Sequence, residues 1–243
     1  MFHKFAVVLA VLLLLGGCHK ASAPAPIPSE TAAPVPSATP SPEPTEEPKE
    51  LWGFPIDETH DAFEVDTGGK LGTVLVTVER GEENEEYGFP LTLSVWREGD
   101  LTTLIQTMEV EESYYFHWYD VVDANFDGHM DFTYQWLLGP KAGMSHLWLW
   151  DEESQQFVEE PAYADIPNPW EDPENQTISG YISYSAAGDG EETFYRWEDG
   201  HLVCFRKEER TYPDENGKQE KVIYERVNGE LVEISREPLV MQG

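Results

Sequence analysis

Alternation of apolar and polar residues is the feature that most restricts the fold of this chain. Segments 73–78, 91–96 and 132–136 place apolar side chains at every second position. This period suits a β-strand with one buried face, because successive side chains of a strand point to opposite sides. No window of ten or more residues has a convincing helical period, and prolines and glycines recur where a helix would have to continue. The chain is therefore predicted to be all-β.

Other segments predict the remaining strands and one short helical turn. Further strands are expected at 101–110, 114–122, 147–150 and 177–185. A helical turn is expected at 57–63 or at 165–174, although the prolines of the second segment argue against it.

A hairpin motif recurs along the chain. Residues 195–203 align with residues 224–232, and each segment has a two-residue turn, Asp199-Gly200 or Asn228-Gly229. Such pairs favour type I′ turns, which need positive φ at both central residues. Looser copies occur at 95–101 and 148–157. Repeated antiparallel units predict irregular hairpin repeats in a propeller-like arrangement, with a β-sandwich as the alternative.

The N-terminal residues have the pattern of an export signal. A short basic start is followed by an apolar run at residues 5–15, which is shorter than a membrane span. The next residues, Leu-Gly-Gly-Cys at 15–18, resemble the lipobox of bacterial lipoproteins, in which the cysteine is lipidated and becomes the new N-terminus. We therefore predict a signal peptide at residues 1–17 and lipidation of Cys18. The protein would be exported to the cell envelope and anchored to the membrane on its extracytoplasmic side.

A tether is predicted between the lipid anchor and the folded domain. Residues 18–50 are rich in proline, serine, alanine and glutamate, and they have almost no large apolar side chains. Such a segment buries too little surface to offset its ordering entropy, so it is predicted to be disordered. Residues 51–243 are predicted to form one all-β domain.

Charge and cysteine content restrict the partners. The chain has 47 acidic against 15 basic residues and a net charge of −32. This charge repels nucleic acid and favours cations or basic proteins. With Cys18 lipidated, Cys204 has no partner for an intrachain disulfide, and it is predicted to be a small buried residue.

Residues 123–131 have the spacing of a calcium-binding loop. Oxygen-bearing side chains stand at the first, third, fifth and ninth positions, with Gly128 at the sixth. The predicted ligands are the side chains of Asp123, Asn125, Asp127 and Asp131, and the main-chain carbonyl of His129. The twelfth position is Tyr134, where a helix-loop-helix site has a bidentate glutamate, and the following residues alternate as in a strand. We therefore predict a structural calcium ion between two β-strands.

The central part of the chain resembles a known family. The segment 121–132, the glycine-containing loop 139–143, and the Trp-Leu-Trp-Asp hairpin at 148–151 with Phe157 are similar to calcium-binding, β-propeller-like periplasmic lipoproteins. Proteins of that family inhibit lysozyme-like effectors delivered by rival bacteria. The resemblance implies a propeller-like fold, a structural calcium ion and inhibition of a peptidoglycan hydrolase. Only the five predicted calcium ligands carry over by position.

The sequence favours a binding protein over an enzyme. No nucleophile elbow, zinc-protease helix or phosphate loop occurs in it, and a hydrolase is the least favoured class. The first hypothesis is a tethered domain that binds a basic extracellular protein such as a muramidase. The alternative is a lipoprotein that binds cell-wall carbohydrate or another solute through tryptophans. Trp170, in a proline-rich loop, is the tryptophan predicted to be exposed.

The lipobox prediction is tested by exchanging its cysteine. The Cys18→Ser chain should incorporate no radiolabelled fatty acid and should leave the membrane fraction, because lipidation needs the thiol. Cys204→Ser is the matched control and should label as the wild type does. A fatty-acid label that persists in Cys18→Ser would contradict the prediction.

Overall fold

The computed structural model of the protein describes residues 49–83 and 88–239. The predicted signal peptide, Cys18 and residues 18–48 of the predicted tether lie outside them. The strands are β1 (Lys49–Leu51), β2 (Phe54–Ile56), β3 (His60–Asp66), β4 (Thr73–Arg80), β5 (Phe89–Arg97), β6 (Asp100–Ser113), β7 (Tyr119–Val122), β8 (Asp131–Leu138), β9 (Gly143–Asp151), β10 (Gln156–Glu159), β11 (Trp170–Asp172), β12 (Thr177–Ser183), β13 (Gly190–Glu198), β14 (His201–Arg210), β15 (Glu220–Val227) and β16 (Glu230–Pro238). A 3-10 helix at Pro161–Asp165 follows β10.

The strands form antiparallel sheets in which neighbours in sequence are neighbours in space. Sheet I has the order β3-β4-β5-β6, sheet II has β10-β9-β8-β7, and sheet III runs from β11 to β16. A separate two-stranded sheet joins β1 and β2. The prediction of an all-β fold built from successive antiparallel hairpins is confirmed. Stacked sheets of this kind are β-sandwich-like, which was the alternative architecture.

Sheet II is the middle layer, and side chains from its two faces pack into two different hydrophobic cores. Phe132 and Trp148 pack with the inner face of sheet I, in a core that also contains Val76 and Leu93. Leu147, next to Trp148 on β9, belongs to a second core. That core also includes Tyr163 of the 3-10 helix, and Ile178 and Leu202 of sheet III. The two-residue period of β9 thus places apolar side chains on both faces of one sheet.

The hairpin repeats form as the turn residues require. Asp199 and Gly200 have φ of 50° and 81°, and Asn228 and Gly229 have 51° and 90°. These values match the left-handed conformation that a type I′ turn needs at both positions. The looser copies form the β5–β6 and β9–β10 hairpins.

Four local expectations differ from the structure. The predicted strand 114–122 is regular only from Tyr119, because His117 has a φ of 69° that interrupts it. The helical turn is at Pro161–Asp165, where a proline occupies the first turn and needs no amide partner. Cys204 is half-buried and its thiol contacts the Arg206 carbonyl. Lys49 and Glu50, at the end of the predicted tether, pair with β2.

Candidate metal loop and binding cleft

The loop 123–131 connects β7 to β8 and is folded around its own polar side chains. Both carboxylate oxygens of Asp123 accept hydrogen bonds, from the amides of Asp127 and Gly128, each at 3.0 Å. Asn125 Oδ1 also accepts from the Asp127 amide, and Asp127 Oδ1 accepts from the amide of His129 at 2.8 Å. Gly128 has a φ of 91°, so the sixth position needs glycine, as predicted. The structure therefore brings the first three predicted ligands together.

Asp131 has a different environment from the other predicted ligands. It is fully buried at the start of β8. Its Oδ2 accepts from the Ala124 amide at 2.9 Å, and its Oδ1 accepts from the Trp150 amide at 2.8 Å. One carboxylate therefore holds the start of the loop against β9. Sequence spacing indicated a ligand here and gave no sign of the contact with β9, which is distant in sequence.

The loop is joined to all three sheets. His129 Nδ1–H donates to the carbonyl of Thr67, which follows β3 of sheet I, at 2.6 Å. Asp131 provides the link to sheet II. Trp197 of sheet III donates from its indole Nε1 to the Ala124 carbonyl at 2.8 Å. These contacts fix the loop at a point where the three sheets meet.

Negative charge accumulates at this loop. Burial, together with the nearby carboxylates of Asp127 and Asp123, raises the pKa of Asp131 to about 7, although its two amide hydrogen bonds act to lower that pKa. The hydrogen bond to Thr67 raises the pKa of His129, with further contributions from Asp127 and Glu152. Within residues 49–83 and 88–239, none of the three loop aspartates forms an ion pair. Their mutual repulsion would be relieved by a bound cation.

The donor chemistry of the loop fits calcium, although the side chains are arranged by internal hydrogen bonds. Carboxylate, amide and carbonyl oxygens are the donors that calcium prefers. Across the described residues, no group of three or more His, Cys, Asp and Glu side chains is positioned to hold a metal ion. Asn125 turns its amide Nδ2 toward Asp127 Oδ2, at 2.8 Å, and the Asp131 oxygens already face amides. The calcium site therefore remains a prediction.

A polar cleft lies on the sheet III side of sheet II. Here we call it the Trp118 cleft; it has a volume of about 430 Å³. Its lining includes Trp118, Asp120, Thr133, Gln135, Ser145 and Glu171. Burial and the neighbouring Glu171 raise the pKa of Tyr163, whose hydroxyl donates to Glu171 at the cleft wall. The sequence shows that polar residues alternate along β7, β8 and β9. It does not show whether the polar face of these strands borders open solvent or a cleft, because that depends on what packs opposite the sheet.

A second concavity is lined mainly by carboxylates. Here we call it the acidic hollow; it has a volume of about 450 Å³, and Trp136 and His146 contribute to its lining. Its acidic residues are Glu109, Glu111, Glu112, Glu159 and Asp165. Glu159 contacts His146 at 2.9 Å, whereas the other four have no basic partner within ion-pair distance in the part of the chain that the structure describes. The sequence shows an excess of acidic residues, but it does not show that five of them line one concavity.

The structure gives clear positions for Trp170 and His117. Trp170 is 70% exposed, which confirms its prediction. His117 Nδ1 pairs with Asp61 Oδ2 of β3, at 2.9 Å, although Asp120 is closer to it in sequence.

Comparisons with known proteins assign no family. No family model matches the chain, and no curated protein sequence matches it. One solved structure, described as "Structure of a Xanthomonas Type IV Secretion System related protein", is 14% identical, with a TM-score of 0.49. The match covers 72% of this chain and 93% of that chain. A similarity of this degree assigns neither a family nor an activity. Among the described residues, no helix is long and apolar enough to cross a membrane.

The two amide contacts of Asp131 predict a large stability effect that does not depend on metal. In the presence of a chelator, Asp131→Ala should lower the free energy of unfolding by about 3 kcal/mol, because each buried amide left without an acceptor costs about 1–3 kcal/mol. Urea unfolding measures this difference.

Asp214→Ala is the matched control for this experiment. Asp214 also accepts two amide hydrogen bonds, from Asn216 and Lys218, but in an exposed turn. Water can replace the lost acceptor there, so the cost should stay below about 1 kcal/mol. Equal losses in the two variants would contradict a special role for the buried carboxylate.

Proposed function

We propose that this protein is a lipid-anchored, extracytoplasmic binding domain that is stabilised by a structural calcium ion and binds a basic extracellular protein. A lysozyme-like peptidoglycan hydrolase is the partner class proposed, with inhibition as the consequence of binding. The single observation that carries the proposal is the acidic hollow, whose carboxylates mostly lack basic partners among the described residues. We propose no catalytic role for the chain.

Calcium has a structural role in this proposal. Asp123, Asn125 and Asp127 would hold the ion with their side chains, and His129 with its carbonyl. Asp131 would contribute directly or through a water, since its oxygens also hold two amides. The ion would neutralise the crowded carboxylates and stiffen the point where the three sheets meet. A weak site suits this role, because the loop lacks a bidentate glutamate at its twelfth position.

Calcium should raise the melting temperature of the full-length chain. For a dissociation constant of about 0.1–1 mM, about 10 mM calcium should stabilise the fold by about 1.4–2.7 kcal/mol. This corresponds to a rise of about 3–10 °C for a domain of this size. Asp127→Ala should remove the calcium-dependent rise.

Asp172→Ala separates loss of metal from loss of a turn. Asp172 accepts the amide of the residue two positions later, at 3.0 Å, as Asp127 does at 2.8 Å. The control variant should therefore lose a comparable turn contact and still respond to calcium. If the wild-type chain melts at the same temperature in calcium and in chelator, the prediction of a calcium site is wrong.

Electrostatics supports a basic partner. A chain with a net charge of −32 attracts a basic protein over a distance of the order of 10 Å at physiological salt. Glu111 and Glu112 form no ion pair with another described residue, so they would meet the lysine or arginine side chains of a docked partner without first breaking one. Charge arranged in this way contributes mainly to association rate and specificity.

Binding to a strongly basic muramidase should depend on the hollow. With a c-type lysozyme as the probe, Glu111→Gln/Glu112→Gln should reduce the association rate at least fivefold at low salt, because two uncompensated charges are removed. Surface plasmon resonance measures the rate, and turbidity clearing of a cell-wall suspension measures inhibition.

Glu215→Gln/Glu230→Gln removes the same charge at exposed positions outside the hollow. This control should associate at nearly the wild-type rate, since only the net charge changes. An equal loss in both double variants would show that net charge, and not the hollow, directs binding. Absence of both binding and inhibition at low salt would contradict the protein-partner proposal.

A further inference from the structure

The Trp118 cleft adjoins a second hollow, and the two form one larger depression. The neighbouring hollow has a volume of about 330 Å³ and shares the residues Trp118, Asp120, Thr133, Gln135 and Ser145 with the cleft. Each volume lies within the range of about 300–1,000 Å³ that is typical of small-molecule sites. Two adjoining hollows of this size offer room for more than one linked sugar ring.

Trp118 provides an aromatic surface at the cleft. Its side chain is 46% exposed, which is unusual for a residue that normally buries a large apolar area. The ring is supported by Tyr115, with ring centroids 5.5 Å apart, and the Tyr115 hydroxyl is held by the Leu138 carbonyl at 2.8 Å. An exposed ring held in this way loses little conformational entropy when a ligand stacks on it.

Polar side chains around this ring have unused hydrogen-bonding capacity. Asp120, Thr133 and Ser145 form no side-chain hydrogen bond with any other described residue. Gln135 donates through Nε2 to the Leu137 carbonyl, and its Oε1 accepts from no described residue. The set contains hydroxyl groups that donate and accept, and a carboxylate and an amide oxygen that accept. Sugar hydroxyls require this mixture, because each of them is both a donor and an acceptor.

The charge of the lining limits the class of ligand. Asp120 and Glu171 are acidic, and no lysine or arginine among the described residues lines either hollow. Anionic glycans and phosphate-bearing polymers would be repelled by these carboxylates and by the net charge of the protein. An uncharged ligand with one apolar face and many hydroxyl groups satisfies both the ring and the polar wall.

We propose that the Trp118 cleft is a binding site for a neutral oligosaccharide, with one pyranose ring stacked on Trp118 and its hydroxyls bonded to Asp120, Thr133 and Ser145. This site is distinct from the acidic hollow and from the calcium loop, so it can be present whether or not the protein binds a muramidase.

Titration calorimetry of the full-length chain with neutral trisaccharides tests the proposal. The probes are chitotriose, cellotriose and maltotriose, with polygalacturonate as the anionic comparator. At least one neutral probe should bind saturably, and polygalacturonate should not bind. Trp118→Ala should weaken that binding at least tenfold, because the stacking surface is lost.

Trp170→Ala is the control, since Trp170 is more exposed than Trp118 and does not line the cleft. It should leave the affinity unchanged. Asp120→Leu provides a second test at an exposed strand position and should weaken binding at least threefold. Thermal melting of each variant verifies that it is folded.

Three results would overturn the proposal. The first is no saturable binding of any neutral probe by the wild-type chain. The second is an equal loss of affinity in Trp118→Ala and Trp170→Ala, or unchanged affinity in both cleft variants. The third is tighter binding of polygalacturonate than of the neutral probes. None of these results depends on whether lysozyme binds at the acidic hollow.

Discussion

The buried carboxylate of Asp131 holds in place the loop at which the three sheets meet. It fixes the loop before β8 against β9, and the same loop contacts Thr67 beyond sheet I and Trp197 of sheet III. A charged group in such surroundings is costly unless its hydrogen bonds are satisfied, and both of its oxygens are. The loop therefore contributes to the structure even before any ion is considered. A calcium ion would further stabilise contacts between the loop and the three sheets that the protein already forms.

The central position of sheet II explains why the two concavities lie close together. Adjacent residues on β8, Gln135 and Trp136, line different hollows. This follows from the strand period, since neighbouring side chains leave opposite faces of the sheet. Apolar residues at the middle of the strand are buried in the cores. Polar residues and exposed rings toward the end of the strand border the Trp118 cleft and the acidic hollow.

The two concavities differ in chemistry, and the proposed ligands follow from that difference. In the acidic hollow, four carboxylates lack basic partners in the described part of the chain, an arrangement that suits lysine and arginine side chains of a protein. In the Trp118 cleft, a supported indole ring is combined with hydroxyl and amide groups, which suits an uncharged polyol. A domain with both could be held close to cell-wall glycan while it binds a protein that acts on the same polymer.

The sequence alone determined the all-β class, most of the central and C-terminal strands, and the type I′ turns, because alternation and Asp-Gly or Asn-Gly pairs act over a few residues. It also located the loop 123–131 and the need for Gly128 within it. Only the tertiary structure decided that Asp131 faces the amides of β9, that His117 pairs with Asp61, and that Asp120 and Ser145 border one cleft. These contacts join residues that are far apart in sequence. Strand alternation separates the two faces of a sheet, but it does not indicate which other element packs against each face. Local patterns therefore predicted the elements, whereas the candidate binding sites depend on how the sheets pack.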